Sequence, residues 1–527
     1  MRHRRSVRPP ARLVILPLPL SPRQAGDAPA QALSRHRLGR AGRAMIGCRF
    51  GGGRAGSRSD DMQRTVIRNA TIITMDPQIG DLRGDILLDG RLIAAVGRDL
   101  GPVDAEIIDG TGMIAIPGFV DSHRHTWQCL LRSAAIDWSL AQYFAGVRGV
   151  MGNLYTADDM YVANHAGALE ALDGGITTLY DWSHCNNTPD HPDACIKALR
   201  DSGIRAVYGY GNANREWFPI SDRRTNFDDV RRVRRTHFTS DDDLVTMAFA
   251  ARGPQAATIE VTEEDFRTAR ELGLRVTVHA GDGVWGLNGP VRQMHEKGLL
   301  GPHVTYVHCC SLADDEFRII ADTGGTASLS VEVEMNMGHG NPATLRLLEA
   351  GVRPSISIDI CTSVGGDMFT QMRILLAASR GLANAKAIEE RRILDPLPLT
   401  ARDILDFATM QGAKACGLDG RIGSLTPGKD ADLVLINTNA INLFPANNPV
   451  GAVVAAAHSG NVDTVIVQGR VRKRHGKLVD VDLRALRGRL ESAADDLFRR
   501  AGVPRDGTWL PEPYVEGAQT SGQAGRS

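Results

Sequence analysis

The 527-residue chain has no excess of either charge: 61 Lys and Arg balance 61 Asp and Glu. Without a net charge there is no global field to draw it onto nucleic acid or anionic lipid. No run of 18 apolar residues occurs, so no segment reads as a membrane-spanning helix. Cysteine is scarce, eight residues with no CxxC pair. That excludes a disulfide scaffold and leaves reduced, mostly buried thiols, as expected of a cytoplasmic protein. What remains, 43% hydrophobic and 23% charged residues, is the composition of a globular protein with a large core. Length alone suggests several domains, although one closed α/β barrel can use about 250 residues.

Residues 1–61 are a different kind of sequence, with thirteen Arg, no Lys and three acids. Their apolar run from Leu13 to Leu20 is interrupted by Pro17 and Pro19. Signal and transit peptides share some of these traits. The reading adopted is a disordered or non-native leader, with Met62 as a plausible start. From there "TVIRNATIITMD" alternates apolar and polar residues at period two. "GDILLDGRLIAAVG" then sets Asp89-Gly90 between apolar runs, a strong hairpin signal because both residue types tolerate positive φ. A short strand runs into Pro117-Gly118. The same texture returns after residue 420, in "GSLTPGKDADLVLI" and in two strands around Gln468-Gly469. Neither strand set can bury a face alone. One small β-sandwich built from both ends, residues 62–117 and 421–485, is the economical solution. Residues 486–527 are expected to form a C-terminal helix and tail.

Between them, residues 118–420 alternate strand and helix patterns. Eight strand candidates occur: 119–120, 177–180, 206–210, 245–250, 275–278, 304–307, 326–331 and 355–358. Helical runs such as "TADDMYVANHAGALEALDGG" and "TEEDFRTARELG" open on Thr and close on Gly. Repeated βα units predict an α/β fold, a (β/α)8 TIM-like barrel whose active site lies at the carboxyl ends of the strands.

The histidines fall at those ends. His123-Arg124-His125 closes the first strand, His279 the fifth, His308 the sixth and Asp359 the eighth. Asp359 lies 236 residues after His123, about 34 for each of the seven steps between the first and eighth strands, close to the roughly 30 residues that one βα step takes. Imidazole and carboxylate together suit a divalent ion such as zinc or iron, and an unsaturated ligand set leaves a place for water. Residues i and i+2 of a strand share a face, so His123 and His125 can both point inward while Arg124 points away.

The runs "IPGFVDSHRHTWQ", "GGITTLYD", "VTVHAGD", "VTYVHCCSLADDE", "SISIDICTSVGGDMFTQMR", "ATMQGAKACGL" and "IGSLTPGKDADLVLI" carry a family resemblance. Over residues 62–485 the chain resembles the amidohydrolase superfamily, in its branch of cytosine, S-adenosylhomocysteine and 8-oxoguanine deaminases and triazine chlorohydrolases. The resemblance implies a barrel with an end-built β-sandwich. It also implies His123, His125, His279 and Asp359 as metal ligands. His308 would bind or polarise the attacking water, and Asp359 would take that water's proton. Some barrels of this kind bridge two metals through a carboxylated lysine on the fourth strand. No Lys occurs between Lys197 and Lys297, so one divalent ion is expected, zinc ahead of iron.

One position departs from the relatives. Three residues after His279, where related deaminases carry a proton-shuttling Glu, this chain has Asp282. It is either an acid/base one methylene shorter or a turn residue between Gly281 and Gly283. Gln128 resembles the Gln of an HxHxxQ run that meets a substrate carbonyl, or caps a backbone group. Trp127 can stack on a flat ring or fill the core. His184 and His339 follow the second and seventh strands and can line the pocket or lie in plain polar loops. The basic run Arg231 to Arg235 reads as a solvated face.

The expected function is metal-dependent hydrolysis of a non-peptide C–N bond, deaminating an aminated purine, pterin, pyrimidine or triazine ring. Cyclic amide hydrolysis or chlorohydrolysis by the same activated water is the alternative. A non-catalytic scaffold would have lost ligands, and none is missing. The expected partner is a small molecule, with no nucleic acid or membrane, in a homo-oligomer.

Overall fold

A computed structural model describes residues 64–213 and 220–513. The leader 1–61, Met62, the end of the C-terminal tail and part of the "NANREWF" loop lie outside the described residues.

The first five strands are β1 (Thr65–Ile72), β2 (Leu82–Asp89), β3 (Leu92–Gly97), β4 (Glu106–Asp109) and β5 (Met113–Pro117). The hairpin from β2 to β3 pairs Asp89 with Leu92, so its two-residue loop is Gly90-Arg91. Gly90 supplies the positive φ of 57° at the first loop position. Eight barrel strands follow: β6 (Phe119–Arg124), β7 (Ile176–Ser183), β8 (Arg205–Tyr210), β9 (Val245–Ala251), β10 (Val276–Ala280), β11 (Val304–His308), β12 (Thr326–Leu329) and β13 (Ser355–Ile356). The chain then returns as β14 (Leu433–Asn437), β15 (Val462–Val467), β16 (Arg470–Arg474) and β17 (Lys477–Leu478).

The two chain ends meet where β14 runs antiparallel to β5, pairing Leu433 with Pro117 and Asn437 with Met113. The result is one continuous nine-stranded sheet in the order β17-β16-β15-β14-β5-β1-β2-β3, with β4 on β1. It carries its own aliphatic core, including Ile67, Ile72, Ile86, Leu88, Ile93, Leu433, Leu435 and Ile466. Gly118 joins this sheet to the barrel. A Cβ there would strike the Thr177 side chain, so the crossing tolerates only glycine.

The barrel strands are all parallel and run in chain order from β6 to β13. Regular pairing in β13 is only two residues long, shorter than the 355–358 expected, because the chain turns toward β6. That turn closes the ring: Asp359 N donates to His123 O at 3.0 Å, and His125 N donates to Asp359 O at 2.8 Å. Beneath this seam the interior is laced with hydroxyls. Ser122 Oγ lies 2.7 Å from both Ser328 Oγ and Ser355 Oγ, and Ser357 bridges Ser328 and Ser330. Each buried hydroxyl is thereby partnered, which offsets its desolvation.

Helices cover the outside. The helix Ala157–Asp173 is capped by Thr156 in a reciprocal box with Asp159. In "TIEVTEEDFRTARELG" the cap is Thr258, whose side chain accepts from Val261 N. Thr262, the expected start, lies inside the helix and donates to Thr258 O. The strand expected over 326–331 ends at Leu329, and Val331–Met337 is helical. The C-terminal helix Leu483–Ala501 is capped by Asp482, and its Arg500 bonds Asp159 at 2.6 Å. Arg231, Arg232 and Arg234 of the basic run pair with Glu271, Asp193 and Asp241. The fully buried Arg205, on β8, ties barrel to sheet through Asp430 and Asp432 at 3.0 and 2.6 Å. Deleting one partner of such a buried pair costs about 3–5 kcal/mol. Among the described residues no helix is long and apolar enough to cross a membrane.

Candidate active site

The carboxyl ends of the barrel strands deliver His123, His125, His279, Asp282, His308 and Asp359 to one mouth. His123 is in β6, and His125 follows it as the chain turns into a short 3-10 helix, Thr126–Leu131. His279 is in β10, with Asp282 just beyond. His308 ends β11, and Asp359 follows β13. His308, Cys309 and Asp359 have φ of 74°, 62° and 68°, left-handed values that are uncommon for non-glycine residues. Each such residue costs on the order of 1–3 kcal/mol and persists where surrounding bonds over-determine it. Here those bonds are Cys309 N to Ala280 O and the Asp359 backbone pairs with β6.

On one side of the mouth, Asp359 Oδ1 lies 3.2 Å from His123 Nε2 and 3.4 Å from His125 Nε2. Ligand atoms of His123, His125 and His279 all lie within 4.8 Å of one another, as do those of His123, His308 and Asp359. Burial, reinforced by the neighbouring imidazoles, holds His279 well below its usual range and His125 at about 3. Burial raises the Asp359 carboxyl, but the bond to His123 and the surrounding imidazoles of His123, His308 and His125 outweigh it and hold it below the ordinary carboxylate range. Neutral imidazoles beside an ionised carboxylate are the protonation states a divalent ion requires of its ligands. His125 Nδ1 meets the Trp182 carbonyl at 3.0 Å, the backbone support that fixes a ligating imidazole. The residues therefore fit a metal ion.

On the other side stands Asp282, buried and fixed by Gln255. Gln255 Nε2 donates to Asp282 Oδ2 at 2.7 Å, while Gln255 Oε1 accepts from Gly281 N at 2.9 Å. Asp282 Oδ1 lies 3.8 Å from His308 Nε2 and 3.7 Å from His339 Nδ1. His308 Nδ1 faces Glu334 Oε1 at 3.2 Å. Burial lowers the His308 pKa, but Asp282, Glu334 and Asp359 more than compensate and lift it to about 9.

The four expected substrate contacts divide into two layers. His184 and His339 line the cavity, together with Tyr143, Arg148, Trp182, Gln255 and Asp282. His184 stacks on His125 with ring centroids 4.0 Å apart. Trp127 and Gln128 stand behind the wall, both fully buried. Trp127 Nε1 donates to His184 Nδ1 at 3.0 Å, and Gln128 Nε2 donates to the Tyr143 hydroxyl at 2.6 Å. The ring-stacking surface expected of Trp127 is therefore not presented to the cavity. Gln128 reaches the cavity only through Tyr143. Gln255, Glu334, Tyr143 and Trp182 are site residues that the sequence reading missed. A signal existed for Gln255, which follows Gly253-Pro254 at a strand's carboxyl end. Glu334 is visible only as an acid in a short helix that otherwise buries Val331, Val333 and Met337.

A parallel eight-stranded barrel with imidazoles and carboxylates gathered at its carboxyl mouth defines a metal-dependent hydrolase. The profile of the amidohydrolase family matches residues 114–472, more than half of the chain. The protein belongs to the amidohydrolase family and hydrolyses carbon–nitrogen bonds other than peptide bonds. It is 29% identical over 447 residues to the 5'-deoxyadenosine deaminase of Methanothermobacter thermautotrophicus, covering 81% of this chain and 99% of that protein. It is 30% identical over 436 residues to the 5-methylthioadenosine/S-adenosylhomocysteine deaminase of Desulforudis audaxviator, covering 80% and 95%. Two solved structures share the fold. An adenosine deaminase from Xanthomonas campestris with bound zinc gives a TM-score of 0.73 at 22% identity, covering 82% of this chain and 98% of that one. The atrazine chlorohydrolase of Arthrobacter aurescens TC1, complexed with zinc, gives 0.73 at 24%, covering 82% and 100%.

Proposed function

We propose that this enzyme releases ammonia from an aminated heteroaromatic ring, with an adenine-type nucleoside as the first candidate ahead of pterin, pyrimidine and triazine rings. The observation that carries the reading is two buried carboxylates facing each other across one cavity in opposite settings. Asp359 is enclosed by imidazoles, and Asp282 is held by Gln255 on the far side of His308. The names of the two deaminase relatives support the nucleoside.

His123, His125, His279 and Asp359 would hold one divalent ion, zinc ahead of iron. When bound, such an ion supplies the Lewis acidity that lowers the pKa of a water. Asp359 accepts the proton of the attacking water. His308 orients that water, its ring fixed from behind by Glu334. The water oxygen bonds to the ring carbon, the proton that Asp359 took from the water passes to Asp282 and from it to the nitrogen, the carbon–nitrogen bond breaks and ammonia leaves. Gln255 keeps the Asp282 carboxylate aimed. His184, His339 and Tyr143 line the space for the ring, with Trp127 and Gln128 setting the positions of His184 and Tyr143.

The shorter reach of Asp282 favours one second reading, in which the same site expels chloride, a leaving group that needs no proton, or opens a cyclic amide. The test is ammonia, chloride and amine release by zinc-loaded enzyme on 5'-deoxyadenosine, 5-methylthioadenosine, pterins, pyrimidines and chlorotriazines. Ammonia from a nucleoside upholds the first reading. Chloride release with no ammonia from any ring replaces it with the second. The seven described cysteines are all free thiols, which supports work in the cytoplasm. Light scattering checks the accompanying expectation of a homo-oligomer.

A further inference from the structure

Three side chains on the Asp282 side of the mouth bring potential ligand atoms to one point. Gln255 occupies Asp282 Oδ2 and leaves Oδ1 without a hydrogen bond. Glu334 faces Nδ1 of His308, and Nε2, 3.8 Å from both Asp282 Oδ1 and Asp359 Oδ2, is the atom an ion would engage in place of its proton. A carboxylate behind an imidazole is the support that orients metal-ligating histidines. Neither ring nitrogen of His339 has a hydrogen bond, although the residue is only 5% exposed. Its Nδ1 stands 3.7 Å from Asp282 Oδ1, and the ligand atoms of the three residues all lie within 4.8 Å of one another. Two ligands each about 2.1 Å from an ion lie roughly 3.4 Å apart at the tetrahedral angle and farther apart as the angle opens. Separations of 3.7 and 3.8 Å are therefore within reach. Leaving a buried imidazole without any partner is costly, and an ion would supply one.

We infer that Asp282, His308 and His339 form a second divalent-cation site, weaker than the His123–His125–His279–Asp359 set, whose occupation stops turnover. The site has three protein ligands, one carboxylate and two imidazoles, and it shares no ligand with the four-residue set. An ion there engages the atoms by which Asp282 and His308 handle protons and water. The binding is independent of the ring-deamination reading, whereas the inhibition rests on it.

The experiment counts metal. Enzyme carrying one tightly held zinc per chain is dialysed to equilibrium against excess zinc chloride, beside His339→Ala and Asp282→Asn. The wild type should hold two zinc ions per chain and each variant one, with the retained first zinc reporting that the fold is intact. Glu334→Gln keeps all three ligands and should weaken the second zinc by roughly 10–100-fold, the effect of losing an orienting partner. In the assay, zinc chloride should inhibit the wild type strongly and His339→Ala little, each relative to its own one-zinc rate. A wild type that saturates at one zinc overturns the inference, as does equal uptake by wild type and His339→Ala. Two zinc ions with no ammonia from any ring substrate upholds the site and removes the deaminase reading instead.

Discussion

The two sides of the catalytic mouth are built on opposite principles. On the Asp359 side the groups interlock: Asp359 meets His123 and His125 both by side chain and by backbone, at left-handed φ. On the Asp282 side, Asp282 and His308 are fixed from behind, by Gln255 and Glu334, while Asp282 Oδ1 and both ring nitrogens of His339 have no hydrogen bond. The first arrangement gives fixed geometry. The second gives atoms free to exchange a proton. In the proposed reading the contrast separates Asp359, ligand and base for the attacking water, from Asp282, which serves only the leaving group's proton, although both are buried and both are held ionised below their usual range.

Asp359→Ala gives the largest expected effect. It removes a ligand, a base and the charge that several imidazoles face, so turnover should vanish and zinc measured by elemental analysis should fall well below one per chain. Chelation of the wild type should mimic the loss, and added zinc should restore it. A variant that kept zinc and rate would erase the distinction between the two sides. Asp282→Ala should keep the tight zinc and lose roughly 10²–10⁴-fold in kcat, the contribution of a general acid/base. Asp282→Glu should also slow the native reaction, because the longer side chain overshoots a carboxylate that Gln255 has aimed. An Asp282→Ala enzyme as fast as its parent would show that the second side has no catalytic role.

Gln255→Leu sharpens the comparison. It removes a hydrogen bond to a charged group, worth about 1.5–3 kcal/mol, so kcat should fall by roughly one to two orders of magnitude with zinc content unchanged. The smallest effect is expected from deleting residues 1–61, which should leave yield, zinc content and rate as they were, because β1 begins at Thr65. Loss of folded protein on that deletion would show that the leader has a structural part.

The sequence exposed the parts of this site that spacing encodes. His123, His279, His308 and Asp359 recur at strand ends because each βα unit takes a nearly constant length. The small sheet was equally readable, since period-two alternation and the Gly90 and Gln468-Gly469 turns mark it locally. Side-chain direction just past a strand was not readable. After His125 the chain enters a 3-10 helix, whose period of three turns Trp127 away from the ring it could have stacked on and Gln128 away from the substrate contact that the family resemblance implied. Glu334 was hidden for a related reason. It sits in a seven-residue helix, Val331–Met337, where the expectation was a strand to 331 followed by a loop, and its partner His308 is 26 residues away in sequence.

The pairing of β5 with β14 also has a consequence in time. Pro117 and Leu433 are neighbours in the sheet but are separated by roughly 300 residues of chain. A ribosome adding about 5–20 residues per second completes β5 some 15–60 s before β14 exists. Throughout that interval the nascent β-domain exposes an edge whose intended partner has not been made, which is the condition under which strands recruit wrong partners. The barrel inserted between the two halves thus sets a delay on the sheet that frames it. A circular permutant joining β14–β17 ahead of β1 would remove the delay while leaving every native contact in place.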